Sequence, residues 1–170
     1  YDKGQDLYIE KTREMGASWV TIALSCTLCN FRDNLQIGFA SREADLVDKP
    51  DQPDSLFWKA RQFMVGLPVE FIGGWHKDKR IKPRPWNPYK DAPQFRIKFP
   101  HRNSVMVGET GREIGRGGRA RMYMIDEAAF LPEPYKAEAA LSRTTNCRIY
   151  VSTPNGMANP FAQAVKSGKK

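Results

Sequence analysis

The sequence predicts an α/β domain: a mostly parallel sheet with helices on both faces. Three observations carry that reading. Strand-like runs alternate with helical patterns along the chain. One run, MYMI at 122–125, is apolar at consecutive positions, as in a strand covered on both sides. Polar and acidic residues gather where the strand runs end, which is where open parallel sheets bind ligands. With 170 residues, 41% of them hydrophobic and 27% charged, the chain has the size and balance of one ordinary globular domain.

The elements follow in order. LYIE (7–10) alternates and reads as a short strand, and KTREMG is the loop after it. Ala17 to about Asn30 is a helix, apolar almost all round and therefore expected to be buried. LQIGFA (35–40) is the second strand. DSLFWKARQFMVGLP (54–68) has apolar residues at 56, 57, 60, 63, 64 and 67, a helical stripe with Asp54 or Ser55 as its cap. GGWHKDKRIKPRPWNPYKDAP (73–93) is the one long irregular segment. QFRIKF and SVMVGE form two strands, with a hairpin across PHRN. RMYMIDEAAF (121–130) is a strand ending in two acids. A further helix leads to CRIYVSTPNG (147–156), a strand running into a polar turn.

Charge and cysteine content bound the function. A net charge of +8 favours polyanionic partners such as nucleic acid. No apolar run approaches the ~18 residues that span a bilayer, and the chain opens YDKGQDLY without the pattern of a signal or transit peptide. An intracellular setting is expected, or a piece of a longer chain. Cys26, Cys29 and Cys147 are too few for a disulfide framework. Cys26 and Cys29 have zinc-knuckle spacing, but no second pair exists and His76 and His101 are distant. Both read as core cysteines on the first helix.

Four stretches carry chemistry. KTREMGAS half-matches the phosphate-binding pattern G-x-x-x-x-G-K-[ST]: Gly16 and Ser18 stand in place, but Lys11 replaces the first glycine and Ala17 the lysine. The order strand, loop, helix is the context such a loop needs. A helix N-terminus attracts anions, Gly16 admits close backbone approach, and the Ser18 hydroxyl can bind Mg²⁺. Lys11 can supply the displaced charge from the other end of the loop, with Arg13 a second candidate. The whole candidate loop is Lys11, Thr12, Arg13, Glu14, Met15, Gly16, Ala17, Ser18 and Trp19.

Asp126 and Glu127 end the apolar strand at 122–125. Paired acids there suit ATP hydrolysis, Asp126 binding Mg²⁺ and Glu127 deprotonating the attacking water. Ser152, Thr153 and Asn155 at the next strand end could sense a γ-phosphate or a water, or form a plain turn. GETGREIGRGGRARM (108–122) holds Arg112, Arg116, Arg119 and Arg121 among five glycines in eleven residues, a backbone either mobile or tightly turned. Its arginines can contact DNA phosphate or reach a neighbour's ATP. Loop, paired acids and polar strand end come in the order one ATPase site requires.

KTREMGASW, ASREADLVDKPDQPDSLFWKARQF, GETGREIGRGGRARMYMIDEAAF and VSTPNG together resemble the ATPase domain of the large terminase subunit of tailed bacteriophages. The resemblance covers about residues 7–160, and its most specific part is GRGGRARMYMIDEAAF. It implies a RecA-like (ASCE) P-loop NTPase whose Mg²⁺-dependent ATP hydrolysis moves double-stranded DNA into a procapsid. It implies Lys11 as a lysine displaced toward the loop start, and Arg13 as a loop arginine coupling nucleotide state to movement. Asp126 would be the metal-binding acid, Glu127 the catalytic glutamate, Arg116 a finger acting in trans, and Ser152–Thr153–Pro154 the coupling motif. The implied partners are duplex DNA, a portal protein, a small terminase subunit and further copies of the chain in a ring, in the cytoplasm of an infected bacterium.

Such subunits also carry a nuclease domain with clustered acids. No acidic residue follows Gly156, and only ten residues precede Lys11, so one ATPase domain over 1–170, part of a longer chain, is expected. WHKDKRIKPRPWNPYK (75–90), with Trp75, Trp86 and Tyr89, would grip DNA phosphates or be a Pro-stiffened insertion packed on the domain. SREAD (41–45) would touch DNA or cap a helix. Two other functions fit parts of the pattern: a helicase-type P-loop translocase, and a non-catalytic basic DNA-binding module.

Overall fold

The structure is a computed structural model and describes residues 4–72 and 85–168. Six strands form one sheet: β1 (Leu7–Glu10), β2 (Gln36–Ser41), β3 (Arg96–Phe99), β4 (Ser104–Thr110), β5 (Met122–Asp126) and β6 (Arg148–Ser152). Their spatial order is β1-β6-β5-β2-β4-β3. Every neighbouring pair is parallel except β3–β4, the antiparallel hairpin expected across PHRN. The last strand therefore lies between the first and the fifth, and this insertion decides where the site forms.

Seven α-helices accompany the sheet among the described residues: α1 (Ala17–Phe31), α2 (Ala44–Val47), α3 (Leu56–Val65), α4 (Val69–Ile72), α5 (Pro88–Asp91), α6 (Pro134–Thr144) and α7 (Pro160–Lys166). The strands feed two cores through period-two alternation. Ile37, Phe39, Met122, Met124, Ile149 and Val151 pack with Ile22, Cys26 and Cys29 of α1 and Phe57, Ala60 and Met64 of α3. Ala40, Tyr123, Ile125 and Tyr150 pack with Ala137 and Leu141 of α6 and Phe161 of α7. Helices cover both faces, as the sequence predicts. Gly38 is forced by this packing, because a Cβ there would lie 2.1 Å from the Tyr123 ring.

Two local expectations need correction, and a third is decided only in part. The α1 helix is not buried all round: Val20 is 68% exposed, and Trp19, Leu24 and Phe31 also face outward. Only the sheet-facing stripe enters the core, since a single sheet covers one side of a helix. Ser55 does occupy the N-cap position of α3, but its hydroxyl caps nothing. It accepts from Lys49 N at 2.9 Å and donates to the Val47 carbonyl at 3.1 Å, bracing the preceding loop. Of the irregular segment, residues 73–84 lie outside the described residues. Trp86 within it is buried, donating to the Lys98 carbonyl at 2.9 Å, so this aromatic packs on the domain, whereas Tyr89 is fully in solvent.

Between mobile and tightly turned, the glycine-rich stretch after β4 is the latter. The Glu109 carboxylate accepts from Gly115 N at 2.5 Å, from Gly117 N at 2.7 Å and from the Tyr123 hydroxyl. A Cβ on Gly117 would fall 2.0 Å from that carboxylate, and Gly115 has φ +79°. One buried-edge acid thus folds the loop that carries the arginines. Burial and the Glu109 charge together push the Tyr123 phenol far above its usual value, keeping it a hydrogen-bond donor.

Candidate active site

The site is built where β1, β6 and β5 end. Lys11 N donates to the Ser152 carbonyl at 3.0 Å, so the β1–β6 ladder runs into the first residue of the loop. The loop then turns through two left-handed positions, Glu14 at φ 61° and Gly16 at φ 70°. Gly16 is the residue before α1, and no side chain caps that helix. A Cβ on Gly16 would meet nothing within 4 Å, so glycine is favoured here by conformation and not by crowding. The first N–H groups of α1 are left with a partial positive charge and no protein acceptor, a standing anion site. Thr12, Arg13, Glu14, Met15 and Gly16 are all exposed around it.

Across this helix start stands Asp126. Ser18 Oγ donates to Asp126 Oδ2 at 2.9 Å, joining residues 108 apart in sequence. Asp126 Oδ1, Glu127 Oε2 and Ser41 Oγ are buried without a hydrogen-bond partner. Three of the four such oxygens among the described residues therefore sit at the ends of β2 and β5. Buried polar groups normally find partners, so their concentration here makes this edge a candidate binding site. A serine hydroxyl touching a carboxylate with a free buried oxygen fits a hard divalent cation such as Mg²⁺. No cluster of three or more His, Cys, Asp or Glu side chains offers another metal site among the described residues.

Glu127 follows in the left-handed region, φ 53°, a conformation that costs a non-glycine residue energy and is held by its surroundings. Arg42 Nε, at the end of β2, lies 2.8 Å from Glu127 Oε2 and 3.5 Å from Glu43. The Glu127 contact is an ion pair whose N–H is not aligned as a hydrogen bond, which reconciles it with the unpartnered Oε2. Arg42 also lies 5.9 Å from the Phe130 ring centroid. The SREAD turn thus neither caps a helix with a side chain nor stands free: its arginine holds the candidate base.

Ser152 is completely buried. Its hydroxyl accepts from Ala129 N at 3.1 Å and donates to the Thr153 carbonyl at 2.9 Å. Asn155 Nδ2 donates to the Ala129 carbonyl at 3.0 Å. The β6 end is therefore strapped to the turn that bears Glu127, and the Ser152 hydroxyl is engaged by that turn and by its own strand end. Thr153 is half-buried beside it.

Lys59 was not legible from sequence. It projects from α3, half-buried, with Nζ donating to the Asp54 carbonyl at 2.8 Å. Burial lowers its pKa below the usual lysine value, while the Asp126 charge opposes that shift and Lys11 reinforces it. Lys59 thus shares an electrostatic environment with Lys11 and Asp126. Trp58, next to it, meets Trp19 edge to face with ring centroids 6.4 Å apart.

The remaining candidates lie apart. Arg13 makes no ion pair among the described residues. Arg116 is 64% exposed, 3.5 Å from Glu113, and lines a small cleft with Glu133 and Lys136. No hydrogen bond or ion pair brings it to Asp126 or Glu127. Cys26 and Cys29 are fully buried and unpaired, with thiol pKa values raised by burial, as expected of core cysteines. No helix among the described residues is long and apolar enough to cross a membrane.

Neither a protein-family model nor a curated protein matches the sequence. Solved structures do match in fold. The large terminase ATPase domain of Thermus phage P74-26 superposes with TM-score 0.61 at 20% identity, over 93% of this chain and 62% of that one. The large terminase of bacteriophage HK97 gives TM-score 0.65 at 12% identity, over 96% of this chain and 33% of that one. The large terminase of the thermophilic bacteriophage D6E, solved with ADP, gives 0.59 at 14%, over 99% of this chain and 39% of that one. This chain has the RecA-like fold of those ATPase domains and spans less than two thirds of each protein's length.

Proposed function

We propose that this chain is the ATP-hydrolysing motor domain of a phage large terminase, driving duplex DNA into a procapsid. The observation that carries the reading is the Ser18–Asp126 hydrogen bond of 2.9 Å, made beneath an uncapped helix start and beside unpartnered buried oxygens. The triphosphate lies over the α1 N-terminus, its β- and γ-oxygens facing the first-turn N–H groups. Lys11 and Lys59 neutralise its charge from two sides, which compensates for Ala17. Mg²⁺, held by the Ser18 hydroxyl and the Asp126 carboxylate, would stabilise charge on the same oxygens.

Glu127 takes a proton from a water that attacks the γ-phosphorus. The new P–O bond forms as the bond to the β-phosphate oxygen breaks, releasing ADP and phosphate. With Arg42 at 2.8 Å, Glu127 is neutralised and turned aside, so attack requires it to exchange that arginine for the water. Movement of the Glu127 turn reaches β6 through the Ser152 and Asn155 bonds to Ala129. Arg116, exposed away from its own acids, completes a neighbouring copy's site in a ring, with Arg13 sensing the nucleotide. A portal protein and a small terminase subunit complete the assembly in the host cytoplasm.

The test is Mg²⁺-dependent ATP turnover with and without duplex DNA, alongside Glu127→Gln. Turnover in the parent that vanishes in the variant, with analogue binding retained, is expected. Full turnover in the variant removes the base assignment, and no turnover in the parent at any DNA concentration removes the motor.

A further inference from the structure

A second charged feature lies at the opposite edge of the sheet, where the parallel strands begin. A cleft of about 740 Å³ opens there, walled by the residues just before β2, β5 and β6 and by the end of α6. Arg119, Arg121 and Arg143 line it with the side-chain amides of Asn34, Gln36 and Asn146, and among the described residues no carboxylate does. Arg119 and Arg143 are exposed and form no ion pair among the described residues.

The walls are tied together. Ala120 N donates to the Thr144 carbonyl at 3.1 Å, and Arg121 N donates to the Gln36 carbonyl at 2.8 Å. Thr144 Oγ1 donates to the Gly115 carbonyl at 2.6 Å, and Thr145 Oγ1 accepts from Cys147 N at 3.2 Å. Backbone bonds thus fix the arginine-bearing loop against the helix end and against β2. Cations held on fixed walls lose little freedom when an anion arrives. A cation in the last turn of α6 also offsets that helix's dipole, which would explain Arg143 alone. It does not explain Arg119 or Arg121, which lie outside any helix.

We propose that this amino-edge cleft is a phosphodiester-binding site that seats the backbone of duplex DNA. The proposal rests on the reading that the chain acts on DNA. Guanidinium groups and amides supply donors to phosphate oxygens, and none of the described lining residues is an acid that would repel them. Among the described residues no aromatic side chain lines the cleft to stack a base, as single-strand binding would need. Contact is to the backbone without sequence reading, and it lies across the sheet from the nucleotide.

The test uses the intact chain without nucleotide and a fluorescein-labelled duplex of about 30 base pairs, read by anisotropy over a salt series. Arg119→Glu/Arg143→Glu should weaken binding at least tenfold and flatten the salt slope by about two. Lys136→Glu/Lys166→Glu makes the same charge change elsewhere and should cost about twofold or less. Arg119→Lys/Arg143→Lys keeps the charges and should retain the salt slope, which guards against misfolding of the reversal variant. Equal losses in both Glu pairs, or none in the cleft pair, overturn the proposal. Tighter binding of a poly-glutamate peptide than of duplex, lost in the cleft pair, assigns the cleft to an acidic protein and overturns it too. ATP turnover measured on the same proteins reports on the motor separately, so either reading can fail alone.

Discussion

The two edges of this sheet are chemically opposite. At the carboxyl edge stand Asp126 and Glu127, with three buried oxygens that lack a hydrogen-bond partner, one of them ion-paired to Arg42, and a helix start lacking a cap. At the amino edge stand Arg119, Arg121, Arg143 and Arg148, and the walls are satisfied by backbone hydrogen bonds. Arg148, which begins β6, is fastened to Asp6 through its Nε at 2.9 Å. The difference follows from parallel pairing. When strands run one way, every helix start gathers at one edge and every helix end at the other, so the two edges carry opposite partial charges. Among the described residues the carboxyl edge keeps polar groups without hydrogen-bond partners, and the amino edge carries cations on walls tied by backbone hydrogen bonds.

Substitutions can break that contrast, and the largest effect belongs to the carboxyl edge. Glu127→Gln should lower kcat by about 100-fold or more while leaving nucleotide and duplex binding intact. Measured by phosphate release, a loss of duplex binding as well would erase the separation of edges. Lys11→Ala should lower kcat/KM roughly 10- to 100-fold, the scale of a charge-assisted contact, whereas Ala17→Lys should change it little. Indifference to both would disprove the displaced lysine.

Between the edges, Gly38→Ala sets a Cβ 2.1 Å from the Tyr123 ring. It should destabilise the domain by about 1–3 kcal/mol in thermal or urea unfolding and disturb the Glu109 clamp on the arginine loop. A neutral result would mean that the ring moves freely. Arg42→Ala frees Glu127 from a half-exposed ion pair, and basal turnover without DNA should rise about two- to fivefold. A fall would make Arg42 a catalytic contact and not a restraint.

The smallest effect is in pH. Because burial lowers the Lys59 pKa, its charge is present at low pH and is lost earlier than an ordinary lysine's as pH rises. The alkaline limb of kcat/KM should therefore move to higher pH in Lys59→Arg, whose guanidinium does not deprotonate. An unmoved limb would assign it to another group.

Much of the fold could be read from the chain. LYIE, LQIGFA, MYMID and RIYVS are strands because their apolar residues must serve one or both faces of a pleated sheet, a local pattern. The hairpin across PHRN follows from a short connection between two such runs. Asp126 could be picked out because it stands at a strand end, and Gly16 and Ser18 because they open the helix that follows a strand and loop. Cys26 and Cys29 could be placed in the core because their helix is apolar on that side. The open outer flank of α1 could not, since which side of an apolar helix is covered depends on what else packs there.

Residue pattern and order alone determined the alternation of elements, the loop, the paired acids and the basic balance, because each is a property of neighbours along the backbone. Tertiary structure decided the rest. It slid β6 between β1 and β5, brought Ser18 to Asp126, set Arg42 against Glu127 and buried Ser152 under the turn it braces. It also delivered Lys59 from α3 and joined residues from three strand starts into one basic cleft. These contacts join distant positions, Leu7 with Ile149 in the sheet and Ser18 with Asp126 in the site, and strand register and helix packing, not local preference, set them.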